Sequence, residues 1–271
     1  MDSKNANMAK TIFMYNMAQE ILKPMKSIIL GANAIRKNLD NKKLVLQHLN
    51  ENAKQEENIL NYVNRVLEYV KIEKGDIKVE EIATDVSDAV QHSYELIAEE
   101  AEKRGIKLEY WIDVKNPYIY QDIFHVTDVV TNIMHNAMKY TPKGGTVKFG
   151  LRQLPSESPD QCIMEFECQD SGIGISKQFL PHACEAFEKE DNEINREIPS
   201  SGLGLHVAKV LISLMGGTID IKSEEGKGTI VRTQFHHRYA QKEDVQKATL
   251  LIENMEEGRL LGIKLEDNSK K

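Results

Sequence analysis

The chain has 271 residues, 41% hydrophobic and 28% charged, with a formal net charge of −7 and a sequence pI of about 5.7. That balance supports a folded core under a wet surface and excludes a wholly disordered polymer, while the length favours two domains of ordinary size. The acidic balance offers no global attraction to phosphate backbones or anionic lipid, so neither nucleic acid nor membrane contact is expected.

The N-terminal residues Met1-Asp2-Ser3-Lys4-Asn5-Ala6-Asn7 are polar and lack an apolar signal core. Apolar runs such as Ile28-Ile29-Leu30-Gly31-Ala32 fall far short of the roughly 20 residues that cross a bilayer. A cytoplasmic location is expected, either outright or as the cytoplasmic part of a membrane-anchored parent. Cys162, Cys168 and Cys184 have no CxxC spacing and read as reduced, structural thiols.

After a linker-like or disordered stretch over 1–9, Met17, Ile21, Met25, Ile28, Ala32, Ile35 and Leu39 form one apolar seam on a long helix. Pro24 lies within that seam and should kink the helix just after Gln19-Glu20. Asn38-Leu39-Asp40-Asn41 reads as a turn into a second helix with a seam through Leu46, Leu49, Ala53, Leu60, Val63, Leu67 and Val70. Two such helices cannot bury wide stripes against each other alone. A hairpin over 10–74 that pairs with a second copy into a four-helix bundle is the economical solution, with an ordinary intramolecular helix pair as the alternative.

Beyond Gly75 the periodicities change. Helices are expected over Val86–Lys103, Ile123–Tyr140 and Leu205–Met215, and strands over Lys107–Ile112, Thr146–Leu151, Cys162–Gln169, Thr218–Ser223 and Gly228–His236. The result is an α+β chain, a helical hairpin followed by a two-layer α/β sandwich over 76–238. The tail 239–271 holds an amphipathic stretch through Val245, Ala248, Ile252 and Met255 that reads as a docking helix, the start of another domain or extra core packing.

Chemistry-bearing residues cluster in that sandwich. Asn132, Asn136 and Lys139 share one helical face. Neutral amides there suit Mg²⁺ when the ligand brings its own phosphates, and the lysine suits a phosphate as a point charge. Asp170-Ser171-Gly172-Ile173-Gly174 sets a carboxylate at a strand end among glycines, a geometry that accepts an exocyclic amine and therefore prefers adenine to guanine. Gly202-Leu203-Gly204-Leu205 opens a helix whose N-terminal N–H groups favour anions. Gly226-Lys227-Gly228-Thr229 leads into the last strand.

In this order, the motifs over about 10–238 resemble the transmitter core of a sensor histidine kinase of the hybrid kind, a dimerisation hairpin followed by a Bergerat-fold ATP-binding domain. Asn132 and Asn136 through Lys139, Tyr140 and Thr141 match the N box, and Asp170, Gly172 and Gly174 the first glycine box. Phe187 matches the F box, and Gly202, Gly204 and Leu205 the second glycine box. The resemblance implies ATP and Mg²⁺ as cofactors, Asn136 as metal ligand, Asp170 as adenine reader, and 177–201 as a mobile lid in which Lys189 and Arg196 are candidates for the γ-phosphate. It implies a homodimer through 10–74 and, as partners, a response-regulator receiver domain or a partner kinase. Clamp-type ATPases related to this fold carry a water-activating glutamate where Asn132 stands, which favours the kinase branch.

The sequence also departs from the family. The phosphoaccepting histidine would fall at Gln19, whose delocalised amide is not a useful nucleophile, and none of the eight histidines is followed directly by an acidic residue. Glu20 then has no histidine to serve and reads as an exposed helix carboxylate. Lys23 replaces the Thr or Asn associated with phosphatase activity, and Pro199-Ser200-Ser201 replace part of the second glycine box. The expected function is a histidine kinase core that binds Mg-ATP, with self-phosphorylation unsupported; the alternative is a pseudokinase scaffold that senses nucleotide.

Overall fold

The computed structural model describes residues 2–190 and 202–249. Arg196, Pro199, Ser200, Ser201, Ile252 and Met255, singled out above, lie outside the described residues. Among the described residues the chain divides into two compact units, one of residues 2–77 with 182–190 and 202–207, the other of 78–181 and 208–249.

The first unit is built on two antiparallel helices, α1 (Asp2–Lys37) and α2 (Lys42–Lys74). Helix α1 starts at Asp2, so residues 2–9 extend it instead of forming a linker. Ala6, Met8, Ala9 and Lys10 are good helix formers, and no Gly or Pro interrupts them. The helix also runs on unbroken through Pro24. Asn41 caps α2, its side-chain oxygen accepting from the Leu44 N–H at 3.2 Å. Gly75 ends α2 with φ 69°, its N–H and that of Asp76 returning to Ile72 and Lys71 carbonyls. Between the helices, Asn52 Nδ2 donates to the Ile28 carbonyl at 3.4 Å. A Cβ at Gly31 would overlap the Asn52 side chain, so only glycine admits that contact.

Residues 182–190 and 202–207, assigned by sequence to the ATP-binding sandwich, belong to this helical unit. Tyr69 of α2 meets the Phe187 ring edge-on at 5.3 Å, and Lys189 pairs with Glu20 of α1 at 3.6 Å. An aromatic contact and a partly buried ion pair thus hold the segment to the hairpin.

The second unit is a sandwich of helices on a mixed sheet. Its elements are β1 (Ile82–Asp85), α3 (Val86–Arg104), β2 (Lys107–Asp113), β3 (Tyr118–Gln121), α4 (Ile123–Tyr140), β4 (Thr146–Pro155), β5 (Gln161–Asp170), β6 (Thr218–Glu224) and β7 (Gly228–Arg238). Helix α5 (Gly204–Leu214) begins in the first unit and ends in the second. The main sheet has the order β2-β4-β5-β7-β6, with β2 parallel to β4 and the other pairs antiparallel. Its helix-facing side carries the alternating buried residues Val147, Phe149 and Leu151 of β4, Met164, Phe166 and Cys168 of β5, and Val231, Thr233 and Phe235 of β7. Facing them, α4 buries Val129, Ile133, Met134, Ala137 and Met138.

Two features escaped the sequence reading. Short strands β1 and β3 form a separate antiparallel pair, because four-residue strands give too little alternation to detect. A helix over 242–249 packs on them, Ala248 joining Ala83 and Ala240 while the Tyr120 hydroxyl donates to Asp244 at 2.9 Å. Of the readings offered for the tail, this part is extra core packing. No helix among the described residues is long and apolar enough to cross a membrane.

Phe149 is fully buried at the centre of the sheet, so Phe149→Ala should destabilise the sandwich by about 3–5 kcal/mol. Urea unfolding followed by the fluorescence of Trp111, the sole tryptophan, on the neighbouring strand β2, measures this.

Candidate functional site

The sandwich gathers one end of α4, the end of β5 and the β6–β7 turn. Helix α4 starts at Asp122, whose carboxylate accepts from the His125 N–H at 3.0 Å and the Glu80 N–H at 2.9 Å and touches His125 Nδ1 at 2.7 Å. Burial alone would raise the Asp122 carboxyl, but these donors hold it below its ordinary value. Nearly three turns on, the helix presents Asn132, which is buried, and one turn later Asn136, which is half-buried. Lys139 Nζ lies 5.2 Å from the Tyr140 ring centroid. The Thr141 hydroxyl returns to the Ala137 carbonyl at 2.7 Å, and the Tyr140 carbonyl accepts the Ile173 N–H at 3.2 Å, tying the helix end to the loop after β5.

Asp170 stands where that loop leaves the sheet. Its Oδ1 accepts two backbone N–H groups, from Gly172 at 2.8 Å and from Thr229 at 3.2 Å. These donors come from different loops, so one carboxylate oxygen fixes the distance between them. Gly228 has φ 103°, and a Cβ there would collide with the Asp170 carbonyl, so this approach needs glycine. The Gly226 N–H donates to the Ile173 carbonyl at 2.7 Å, and Gly174 packs against the Glu224 backbone. No described group donates to Asp170 Oδ2. Burial pushes the Asp170 carboxyl up to about 6 despite its two N–H donors.

Sequence reasoning missed Ser223. Its hydroxyl accepts from the Ile175 N–H at 2.8 Å, donates to the Gly228 carbonyl at 3.0 Å and meets the Thr229 hydroxyl at 2.8 Å, so it uses its whole bonding capacity to join both loops. The available signal was its register opposite Thr229 in the β6–β7 hairpin.

In the helical unit, the Phe187 N–H donates to the Gly202 carbonyl at 2.9 Å, and Phe187 itself takes φ 68°. Leu203 is fully buried, and Gly204 and Leu205 are half-buried at the start of α5. The His206 Nδ1 lies 3.1 Å from the Cys184 carbonyl and its ring 5.7 Å from Tyr69. Gln19 is half-buried. Glu20 is not the exposed carboxylate expected: its side chain is 17% exposed and paired with Lys189. Burial, with the charge of Glu20 second, pushes the Tyr62 hydroxyl up to about 12. The structure therefore brings Asp170, Gly172, Gly174, Thr229 and the end of α4 together in one unit, and Phe187, Gly202, Lys189 and Glu20 together in the other.

The sandwich has the sequence features of a known family: residues 121–239 match the histidine kinase-, DNA gyrase B- and HSP90-like ATPases. The matched segment takes in α4, Asp170 with its glycine loop, and the β6–β7 turn. Residues 121–239 form an ATPase domain of the sensor histidine kinase type. The sensor protein GacS of Pseudomonas syringae pv. syringae is 28% identical over 229 residues, covering 84% of this chain and 25% of GacS. The chain thus spans about a quarter of that relative's length. Among solved structures, full-length ShkA in complex with AMPPNP is similar with a TM-score of 0.61 and 20% identity, covering 85% of this chain and 46% of that one. The histidine kinase ThkA in complex with the response regulator protein TrrA has a TM-score of 0.57 and 18% identity, covering 87% and 64%. At such identities these structures establish the shared α+β fold, a Bergerat sandwich.

Because Asp170 binds its proton more tightly folded than unfolded, its contribution to stability is complete below about pH 4 and is lost as pH rises through about 6. Asp170→Asn keeps an acceptor for both N–H groups and removes the buried charge. The variant should exceed the parent in stability by about 1–3 kcal/mol at pH 7.5, with the gap closing towards pH 4, as measured by urea denaturation at both pH values.

Proposed function

We propose that this chain is the core of a two-component histidine kinase that binds Mg-ATP in the sandwich and dimerises through the hairpin. The observation that carries the reading is the buried Asp170 carboxylate, with Oδ1 committed to two loops and Oδ2 left over. A carboxylate kept charged at neutral pH against its own burial is an unsatisfied acceptor, and the exocyclic amine of adenine satisfies it. A guanine carbonyl at the same place would be repelled.

The remaining groups fit a nucleotide. Gly172 and Gly174 leave backbone where side chains would stand, Thr229 positions Asp170, and Tyr140 flanks the helix end. In the helical unit, Phe187, Gly202 and Leu203 lead into α5, whose N-terminus at Gly204 and Leu205 suits a phosphate. Among the described residues no group of three or more His, Cys, Asp or Glu side chains is arranged to hold a metal. Neutral amides on α4 suit a cation that arrives with phosphates, with Asn136 as its protein ligand and Asn132 beside it. Mg²⁺ bound there would neutralise charge on the transferred phosphoryl group. Lys139, Lys189 and Arg196 are the cationic side chains assigned to the phosphates.

Gln19 limits what the hairpin can accept. With no imidazole there, the chain binds nucleotide without phosphorylating itself at this position, and the acceptor is a histidine on a partner kinase. A receiver domain is the downstream partner. A nucleotide-sensing scaffold without transfer remains the second reading, favoured by the capture of Lys189 by Glu20, which occupies a phosphate-binding candidate.

The hairpin also carries the surface for a second copy. Leu30 and Leu60 are 69% and 63% exposed, and Ile29, Leu46, Leu49 and Leu67 are also exposed along the two helices. An apolar stripe of this length on the surface marks an association face. Leu60→Glu should convert a dimer into a monomer in sedimentation equilibrium, while a parent chain that is already monomeric would refute the dimer.

Calorimetric titration with Mg-ATP tests the nucleotide reading. Affinity should weaken by up to about tenfold per pH unit below pH 6 as Asp170 takes up its proton, and Asp170→Asn should bind at least about tenfold more weakly at pH 7.5. Incubation with γ-labelled ATP should leave the parent chain unlabelled and give acid-labile label on Gln19→His. Transfer from the parent to a supplied hairpin with an intact histidine separates the kinase from the scaffold.

A further inference from the structure

The sandwich contains a cavity at the opposite end of α4 from Asn136. It lies between α3, α4 and the sheet, has a volume of about 60 Å³, and is walled by Val90, Val126, Phe149, Met164 and Phe235 with His237 at one side. That is several times the roughly 10–15 Å³ that one water requires. Most of the wall is apolar. The Ser93 hydroxyl donates back to the Ala89 carbonyl at 2.8 Å, and Gln121 Nε2 donates to the Thr84 hydroxyl at 2.9 Å. A wall built mainly of aliphatic and aromatic side chains favours an apolar body.

His237 is the one titratable side chain in this wall. It is only 8% exposed, and its Nδ1 lies 3.0 Å from the Tyr120 carbonyl, which can only accept, so Nδ1 carries the hydrogen. Burial pushes the imidazole down to about 4, leaving the ring neutral at pH 7. A neutral ring with its hydrogen on Nδ1 has a lone pair on Nε2. No described group donates to that nitrogen. A buried acceptor without a donor, on the wall of an apolar cavity, marks where a ligand's single polar group belongs.

We propose that this cavity binds a small neutral molecule with an apolar body and one hydroxyl or N–H donor, of phenol size or below, hydrogen-bonded to Nε2 of His237. No charged side chain lines the wall, so the pocket does not take an ion. This site is separate from the nucleotide cradle at Asp170 and stands without it.

Ligand-observed NMR titration of the full chain with phenol and with toluene tests the proposal. Phenol should bind saturably at one site. His237→Leu should shift the phenol-to-toluene affinity ratio about fivefold towards toluene, the effect of one neutral hydrogen bond, with toluene binding retained. Filling the space by Ala89→Leu, or by Val90→Leu should the first variant not fold, should abolish binding of both probes. Absence of saturable phenol binding to the parent chain, phenol binding that survives the filled cavity, or an unchanged ratio in His237→Leu would each overturn it.

Discussion

The sandwich depends on one carboxylate oxygen. Asp170 Oδ1 receives N–H groups from the loop that follows β5 and from the first residues of β7, segments nearly sixty positions apart in sequence. Removing a buried charge from water is costly, and the rise of this carboxyl to about 6 is the visible sign of that cost. The fold tolerates it because both loops need a common acceptor. Ser223 provides the complementary joint, with its hydroxyl spent on three groups of the same two loops. A carboxylate thus positioned is rigid on one side and unsatisfied on the other, the condition of a group prepared for a ligand.

Helix α4 carries this arrangement through the core. Asp122 fixes its first turn to the chain before β1, and the Tyr140 carbonyl fixes its last turn to the Asp170 loop. Val129, Ile133, Met134 and Met138 lock its inner face to the sheet. The amides of Asn132 and Asn136 are therefore placed by packing on one side and by hydrogen bonds at both ends. Such a helix has few ways to move except as a body.

Most of the sandwich was legible in the sequence because its elements are long and regular. The 18 residues of α4 show a clear helical period, and β4, β5 and β7 alternate over ten or eleven residues. Asp170 was legible as a carboxylate between a strand and glycines, but its second donor, Thr229, was not. A contact between residues 59 positions apart leaves no local pattern. The same holds for Lys189 and Glu20, whose meeting depends on tertiary placement and turns an expected surface carboxylate into a partly buried one. Strands β1 and β3 were too short for alternation to register, and their covering helix was seen only as amphipathic, without its target.

The meeting of Gly31 with Asn52 also bears on how the hairpin can move. The Asn52 amide lies in the space that any side chain at position 31 would fill, and it donates to the carbonyl one turn earlier. Sliding α1 along α2 by a turn would set that amide against Ile28 or Ile35 and leave its polar atoms without partners, so translation is opposed at this level. Splaying of the helices about the Gly31–Asn52 contact meets no such barrier. A mechanical input arriving at either helix would therefore pass through the hairpin as a change of tilt around a fixed pivot, with its two arms moving in opposite senses.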